Sequence, residues 1–158
     1  MPKTARQSHL FKTPDQDAHY LSDVTETLTL RFDVTGFDPA ELAGIDGDWL
    51  GAVVMRKTYT EGLIGTSDAH FVSSGTEEDG RGYLAAERVT GVLDDGRHGS
   101  FTVHHGALSS PDDPSAFAYI VPGTGTEDFS GFSGSGRIVH DERGPFFVLE
   151  VSDALASS

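Results

Sequence analysis

Cysteine is absent from the 158 residues, which excludes disulfides and thiolate metal ligands. No apolar run approaches the roughly 20 residues that cross a bilayer as a helix. The opening MPKTARQSHLFKTPDQD lacks the apolar segment of a secretory signal, so the expectation is a cytoplasmic protein with no membrane partner. Positive charge is scarce: 11 Lys+Arg stand against 25 Asp+Glu, a net charge of −14. Such a surface repels phosphates, so no nucleic-acid partner is expected. G-x-S-x-G does not occur, which leaves a nucleophile elbow unsupported. An H-x-H pair is missing too, and His104 and His105 point to opposite faces of a regular strand; no metal site is expected.

What is present reads as β-structure. Residues 1–23 are polar and without sustained periodicity, and are expected to form an arm. A single domain is expected over 24–158. Glu26, Leu28, Leu30, Phe32 and Val34 share one face of a first strand by period-2 alternation. Asp38-Pro39-Ala40-Glu41 has the form of a helix start, with one short helix predicted at about 39–43 before Gly44. Further strands are predicted over Trp49–Tyr59, Leu63–Ser73, 82–93, 99–108, Ala116–Val121, Ser130–His140 and Pro145–Ser152. Eight strands joined by short turns predict an up-and-down antiparallel barrel, able to hold side chains or one small ligand. The 19 glycines suit bent, bulged strands. Gly123-Thr-Gly-Thr-Glu127 has the look of a phosphate loop but lacks a helix after it, so a turn is the better reading.

The text Gly82–Ala107 carries most of the chemistry. Glu87 is in phase with Tyr83 and Val89, and His105 with Phe101 and Val103. A carboxylate and an imidazole inside an apolar space must pair, and can then move a proton; a structural ion pair is the plainer alternative. Lys57, in phase with Met55 and Tyr59, and Tyr119, in phase with Phe117, are second-rank ligand donors, with snorkelling to the mouth as the alternative. The lumen is expected to be lined by Phe32, Tyr83, Glu87, Phe101, Val103, His105 and Tyr119, with Leu28 and Leu30 also inward. Apolar residues in the opposite phase (Leu84, Ala86, Ile120, and Phe147 or Phe146) predict a homo-oligomer, dimer or trimer, held partly by the arm.

Three segments, KTYTEGLIGTS (Lys57–Ser67), GYLAAERVTGVLDDGRHGSFTVHHG (Gly82–Gly106) and VPGTGTEDFSGFSGSGRI (Val121–Ile138), carry a resemblance. With them the chain resembles a bacterial family of uncharacterised proteins placed with the allene oxide cyclase-like barrels, a superfamily that is also similar to plant dirigent proteins. The resemblance implies an eight-stranded barrel of that type. In plant allene oxide cyclases a lumen glutamate assists ring closure, and by that analogy Glu26 joins Glu87 and His105 as a catalytic candidate. The expectation is a cofactor-free cyclase or isomerase of specialised metabolism, acting on a small apolar, polyketide-like or lipid-like ligand. Glu87 would be the base or the group that orients His105, and Tyr83 or Tyr119 an oxyanion donor. The alternatives are a non-catalytic carrier barrel, or a structural protein with a packed lumen.

Overall fold

In the computed structural model, residues 24–154 are described, apart from 111 and 113; the arm expected at 1–23 and the oligomeric contacts assigned to it lie outside them. Eight antiparallel strands run in sequence order and close on themselves: β1 (Val24–Ala40), β2 (Gly51–Glu61), β3 (Leu63–Thr76), β4 (Gly80–Leu93), β5 (His98–Ser109), β6 (Ser115–Ile120), β7 (Phe132–Asp141) and β8 (Gly144–Asp153). Closure depends on the length of β1. Its first half, Val24 to Arg31, pairs with β8, and its second half, Arg31 to Ala40, pairs with β2. Register shifts at Arg31/Phe32 and Val34/Gly36 turn the strand from one partner to the other.

The helix predicted at 39–43 does not form. Pro39 and Ala40 pair with Val53 and Ala52, and Asp38, read as a cap, instead holds Arg56 at 2.8 Å from the strand. Ladder pairing overrides a local capping pattern where a partner strand is available. Among the described residues the helical content is one 3-10 turn, Glu127–Phe129.

That turn closes one end of the barrel, here called the floor. Pro122 follows the end of β6, leaving the lower edge of β5 unpaired by strand. The segment 121–128 replaces the missing ladder. Val121 N–H donates to Thr102 O, and the Thr102 N–H donates to Thr124 Oγ1 at 3.1 Å. Thr126 N–H donates to Ser100 O while its Oγ1 accepts from Ser100 N–H. Asp128 accepts from His98 N–H at 2.9 Å. The glycine- and threonine-rich text is thus a side-chain substitute for a strand. Phe129 swings inward beneath it and packs on Phe132 and Phe101, with centroids 4.7 and 5.6 Å apart.

The floor half is solid. Leu30, Leu63, Val89, Leu93, Phe101, Val103, Phe129, Phe132, Leu149 and Val151 form its core. Leu28, Leu30, Phe32, Phe101 and Val103 face inward as the alternation predicts, Leu28 at the partly buried edge. Close strand approach needs glycine here: a Cβ on Gly65 would lie 2.0 Å from Thr90 O, and one on Gly134, at φ +136°, 1.9 Å from Glu150 O. Ile120 and Phe147, expected on the outer face, are inside and fully buried, while Leu84 and Ala86 are outside and exposed. Phe146 lies outside under the Arg31 guanidinium, 4.8 Å from its ring centroid.

The opposite end, the mouth, is open. β5 and β6 stay paired up to Leu108 and Ser115, and β7 and β8 up to Asp141 and Gly144. β6 and β7 pair only from Ala118 to Ile120 with Gly134 to Gly136. Above that short ladder the two strands part and leave a gap in the wall.

Candidate functional site

Four neighbouring strands converge on one carboxylate. Glu87, on β4, is completely buried. Its Oε1 accepts from the Tyr59 hydroxyl at 2.8 Å and from the Ser67 hydroxyl at 2.5 Å. Its Oε2 accepts from Lys57 Nζ and from His105 Nε2, both at 2.9 Å. β2 supplies Lys57 and Tyr59 on one inward face, β3 supplies Ser67, and β5 supplies His105. Lys57 stands directly opposite Ser67 in the β2–β3 ladder, which brings both polar groups to one level of the barrel.

Burying an ion is costly unless its hydrogen-bonding capacity is filled, and Glu87 has four donors for two oxygens. Burial pushes the Glu87 carboxyl up. The His105 hydrogen bond, the Lys57 charge and the Ser67 hydrogen bond outweigh it, and the carboxyl lies at about 2. Glu87 is therefore an anion at neutral pH, an acceptor with no proton to give. Burial pulls the Lys57 ammonium below its ordinary range, against the opposing Glu87 charge. The ammonium also lies 4.1 Å from the Phe32 ring centroid and 4.8 Å from that of Phe147, where the ring faces attract a cation. Burial and the nearby Glu87 charge push the Tyr59 hydroxyl well up, so it stays a neutral donor.

His105 links this buried cluster to open space. Because an ionised carboxylate can only accept, Nε2 carries the proton in the bond to Glu87. Nδ1 is turned the other way, 3.2 Å from the Tyr83 hydroxyl. In neutral His105, Nδ1 accepts and Tyr83 donates. Phe71, Tyr83 and Phe147 hold the imidazole by ring-edge contacts at 5.5 to 5.7 Å. Burial and the Glu87 charge raise the Tyr83 hydroxyl above its ordinary value.

Tyr83 lines a cavity of about 410 Å³ in the mouth half, within the range of small-molecule sites. Phe32, Val34, Met55, Phe71 and Ile138 supply apolar wall, and Lys57 and Tyr83 supply polar groups. Arg137 and His140 stand at its edge, beside the gap between β6 and β7.

The structure brings together Glu87, His105, Lys57 and Tyr83 from the sequence-predicted set, with Phe32 beside them. It does not bring Glu26. That side chain sits at the floor, where Arg97 grips it with two hydrogen bonds of 2.7 and 2.9 Å. Glu26 is thus a partner of the turn after β4, away from the cavity wall. Phe101 and Val103 are inward but buried in the solid half, so they support the site from below and do not line the cavity. Tyr119 faces outward: Ala118 and Ile120 are the buried face of β6, and the Tyr119 hydroxyl meets His104 Nδ1 at 3.0 Å on the outer surface. Lys57 does not snorkel to the mouth; it is 2% exposed. Tyr59 and Ser67 were missed as site residues. Tyr59 shared Lys57's phase, and Ser67 was the one inward hydroxyl in a small-residue strand face, Gly65, Ser67, Ala69.

The fold has a solved counterpart. A crystal structure of a protein of unknown function from the DUF3224 family of Shewanella oneidensis MR-1, at 1.84 Å resolution, superposes with a TM-score of 0.70. It is 23% identical, and the alignment covers 82% of this chain and 98% of that one. Among curated proteins no match was found. The sequence profile of the family described as "Protein of unknown function (DUF3224)" matches residues 28–150, a span that includes every strand contributing to the site. The chain belongs to the DUF3224 family.

Proposed function

We propose that this barrel is a cofactor-independent proton-transfer enzyme, a cyclase or isomerase, acting on a small apolar ligand held in the mouth cavity. The observation that carries the reading is the line Tyr83–His105–Glu87, which runs from the cavity wall to a buried anion through hydrogen bonds of 3.2 and 2.9 Å. A ligand C–H beside a carbonyl loses its proton to the Tyr83 oxygen as the Tyr83 proton passes to His105 Nδ1. The electron pair moves to the ligand oxygen as an enolate. The resulting imidazolium is held by Glu87. In a ligand whose enolate is conjugated with a neighbouring C=C bond, the proton returns by the same path to the γ-carbon, shifting the double bond. Lys57, at the cavity wall, favours the developing negative oxygen. Glu87 is a positioning residue here, since its carboxyl at about 2 makes it a poor base at neutral pH. The same reading takes the barrel as one of the allene oxide cyclase-like type and the protein as a cytoplasmic homo-oligomer, dimer or trimer, with no nucleic-acid partner. Leu84 and Phe117, 57% and 46% exposed, give such an assembly an outer contact face, and light scattering showing a monomer at micromolar concentration would count against it.

The test is deuterium uptake by a panel of small ketones and oxo acids in D2O, followed by NMR with the full-length protein. Exchange catalysed by the wild type should fall on the order of a hundredfold in Tyr83→Phe. Unchanged exchange in that variant sinks the proton-transfer reading. A second reading, a non-catalytic carrier, draws on the saturation of Glu87 by four donors. It predicts tight ligand binding with no exchange at all.

A further inference from the structure

The charge around the cavity is the reverse of the charge of the chain. Asp+Glu outnumber Lys+Arg by 25 to 11, yet no carboxylate is among the residues that line the cavity, while Lys57 and Arg137 both are. Lys57 is balanced by Glu87 directly behind it. Arg137 makes no ion pair among the described residues; Arg81 and Arg88 make none either, but of the three Arg137 alone lines the cavity, whereas Arg31, Arg56, Arg97 and Arg143 each hold carboxylates. In an acidic protein a guanidinium without a carboxylate neighbour is a chemical opening, because its fork of donors matches an oxyanion.

Its position gives that opening a direction. Arg137 follows Gly136 at the point where β6 and β7 separate. By strand alternation it lies on the outer side of the gap. Phe117, on the outer face of β6, leans the other way, its ring lying over Gly106 of β5. A Cβ at that glycine would come within 2.7 Å of the ring. The gap thus has a cationic lip at Arg137 and an apolar chamber behind it.

We infer that the cavity takes a compact organic anion, admitted through the gap between β6 and β7, with its apolar body inside and its anionic group on Arg137. This rests on the cavity being the substrate site of the function proposed above. It adds that the ligand carries a second oxygen function: a carboxylate or similar anion at the lip, besides the carbonyl whose oxygen Lys57 favours. A cavity of about 410 Å³ sets the size, enough for a body of one or two rings.

Binding of 2-naphthoate and of its neutral counterpart 2-naphthamide to the full-length protein, by calorimetry, tests this without any need for turnover. The wild type should bind the anion at least about tenfold more tightly, and Arg137→Gln should bring the two within about threefold by weakening the anion alone. Arg137→Lys should keep part of the preference, and an unchanged melting temperature certifies that both variants fold. Equal binding of the two probes overturns the inference. So does no binding of the anion, or a preference that survives Arg137→Gln, which would place the probe elsewhere. Anion preference together with intact deuterium exchange in Tyr83→Phe would uphold the inference and remove the proton-transfer reading alone.

Discussion

Glu87 and His105 meet on a diagonal. Across the β4–β5 ladder Glu87 is opposite Val103 and His105 is opposite Ala85, yet Glu87 Oε2 and His105 Nε2 are 2.9 Å apart. Diagonal neighbours on one sheet face are within reach of long side chains. The small side chain of Ala85 beside His105 leaves room for the imidazole to lean toward Glu87. That lean turns Nδ1 toward Tyr83 and the cavity.

Removing the charge on Glu87 should cost stability. In Glu87→Gln the Lys57 ammonium stays buried without its anion, which typically costs about 3–5 kcal/mol. Pairing that change with Lys57→Met should recover much of the loss, because the ion is then absent. Urea unfolding of the wild type and the two variants measures this, and a double variant no more stable than Glu87→Gln would contradict the ion-pair account.

Acid should act through the same residue. The folded Glu87 carboxyl lies at about 2, below the ordinary 4.5 that it has when unfolded. A depressed carboxyl contributes stability above the unfolded value and loses it as pH falls through the folded one. The contribution is about 3 kcal/mol at neutral pH, fading between about pH 5 and pH 2. Unfolding free energies of the wild type should drop across that window more steeply than those of Glu87→Gln. Parallel curves would contradict the depressed carboxyl.

Two residues singled out by sequence should be bystanders. Glu26→Gln breaks a half-exposed pair with Arg97, worth about 1 kcal/mol or less. Tyr119→Phe removes one hydrogen bond on the outer wall. Neither should change affinity for 2-naphthoate or the rate of deuterium exchange, and a tenfold effect from either would place it in the site after all.

The floor segment should be held by its threonines. Thr124→Val leaves the Thr102 N–H without its acceptor and should destabilise by about 1 kcal/mol, read as a shift in the urea midpoint at constant slope. No shift would mean that the Thr124 side chain contributes nothing to holding the segment.

Alternation made the barrel readable because one face is buried along most of its strands. Glu87 and His105 were placed correctly for the same reason: each sits mid-strand between buried neighbours. It failed on β6, six residues long with apolar side chains on both faces. There the aromatic pair Phe117 and Tyr119 outweighed Ala118 and Ile120, although the crowded interior accepts the smaller set. At Asp38-Pro39 a local helix signal lost to pairing with β2, which lies a dozen or more residues on and is invisible to local pattern. The four-donor shell of Glu87 was legible only in part. Phase placed Lys57 on the inward face, but its distance from the mouth is a three-dimensional property, and so is the convergence of Tyr59 and Ser67.

The most direct measurement is the tautomer of His105, read from imidazole 15N chemical shifts in the full-length protein at a pH where the ring is neutral. The proton should be on Nε2, donated to Glu87, with Nδ1 bare and facing Tyr83; Glu87→Gln should loosen that preference. A proton on Nδ1 with Nε2 bare would contradict the relay, since His105 would then have no base to offer at the cavity.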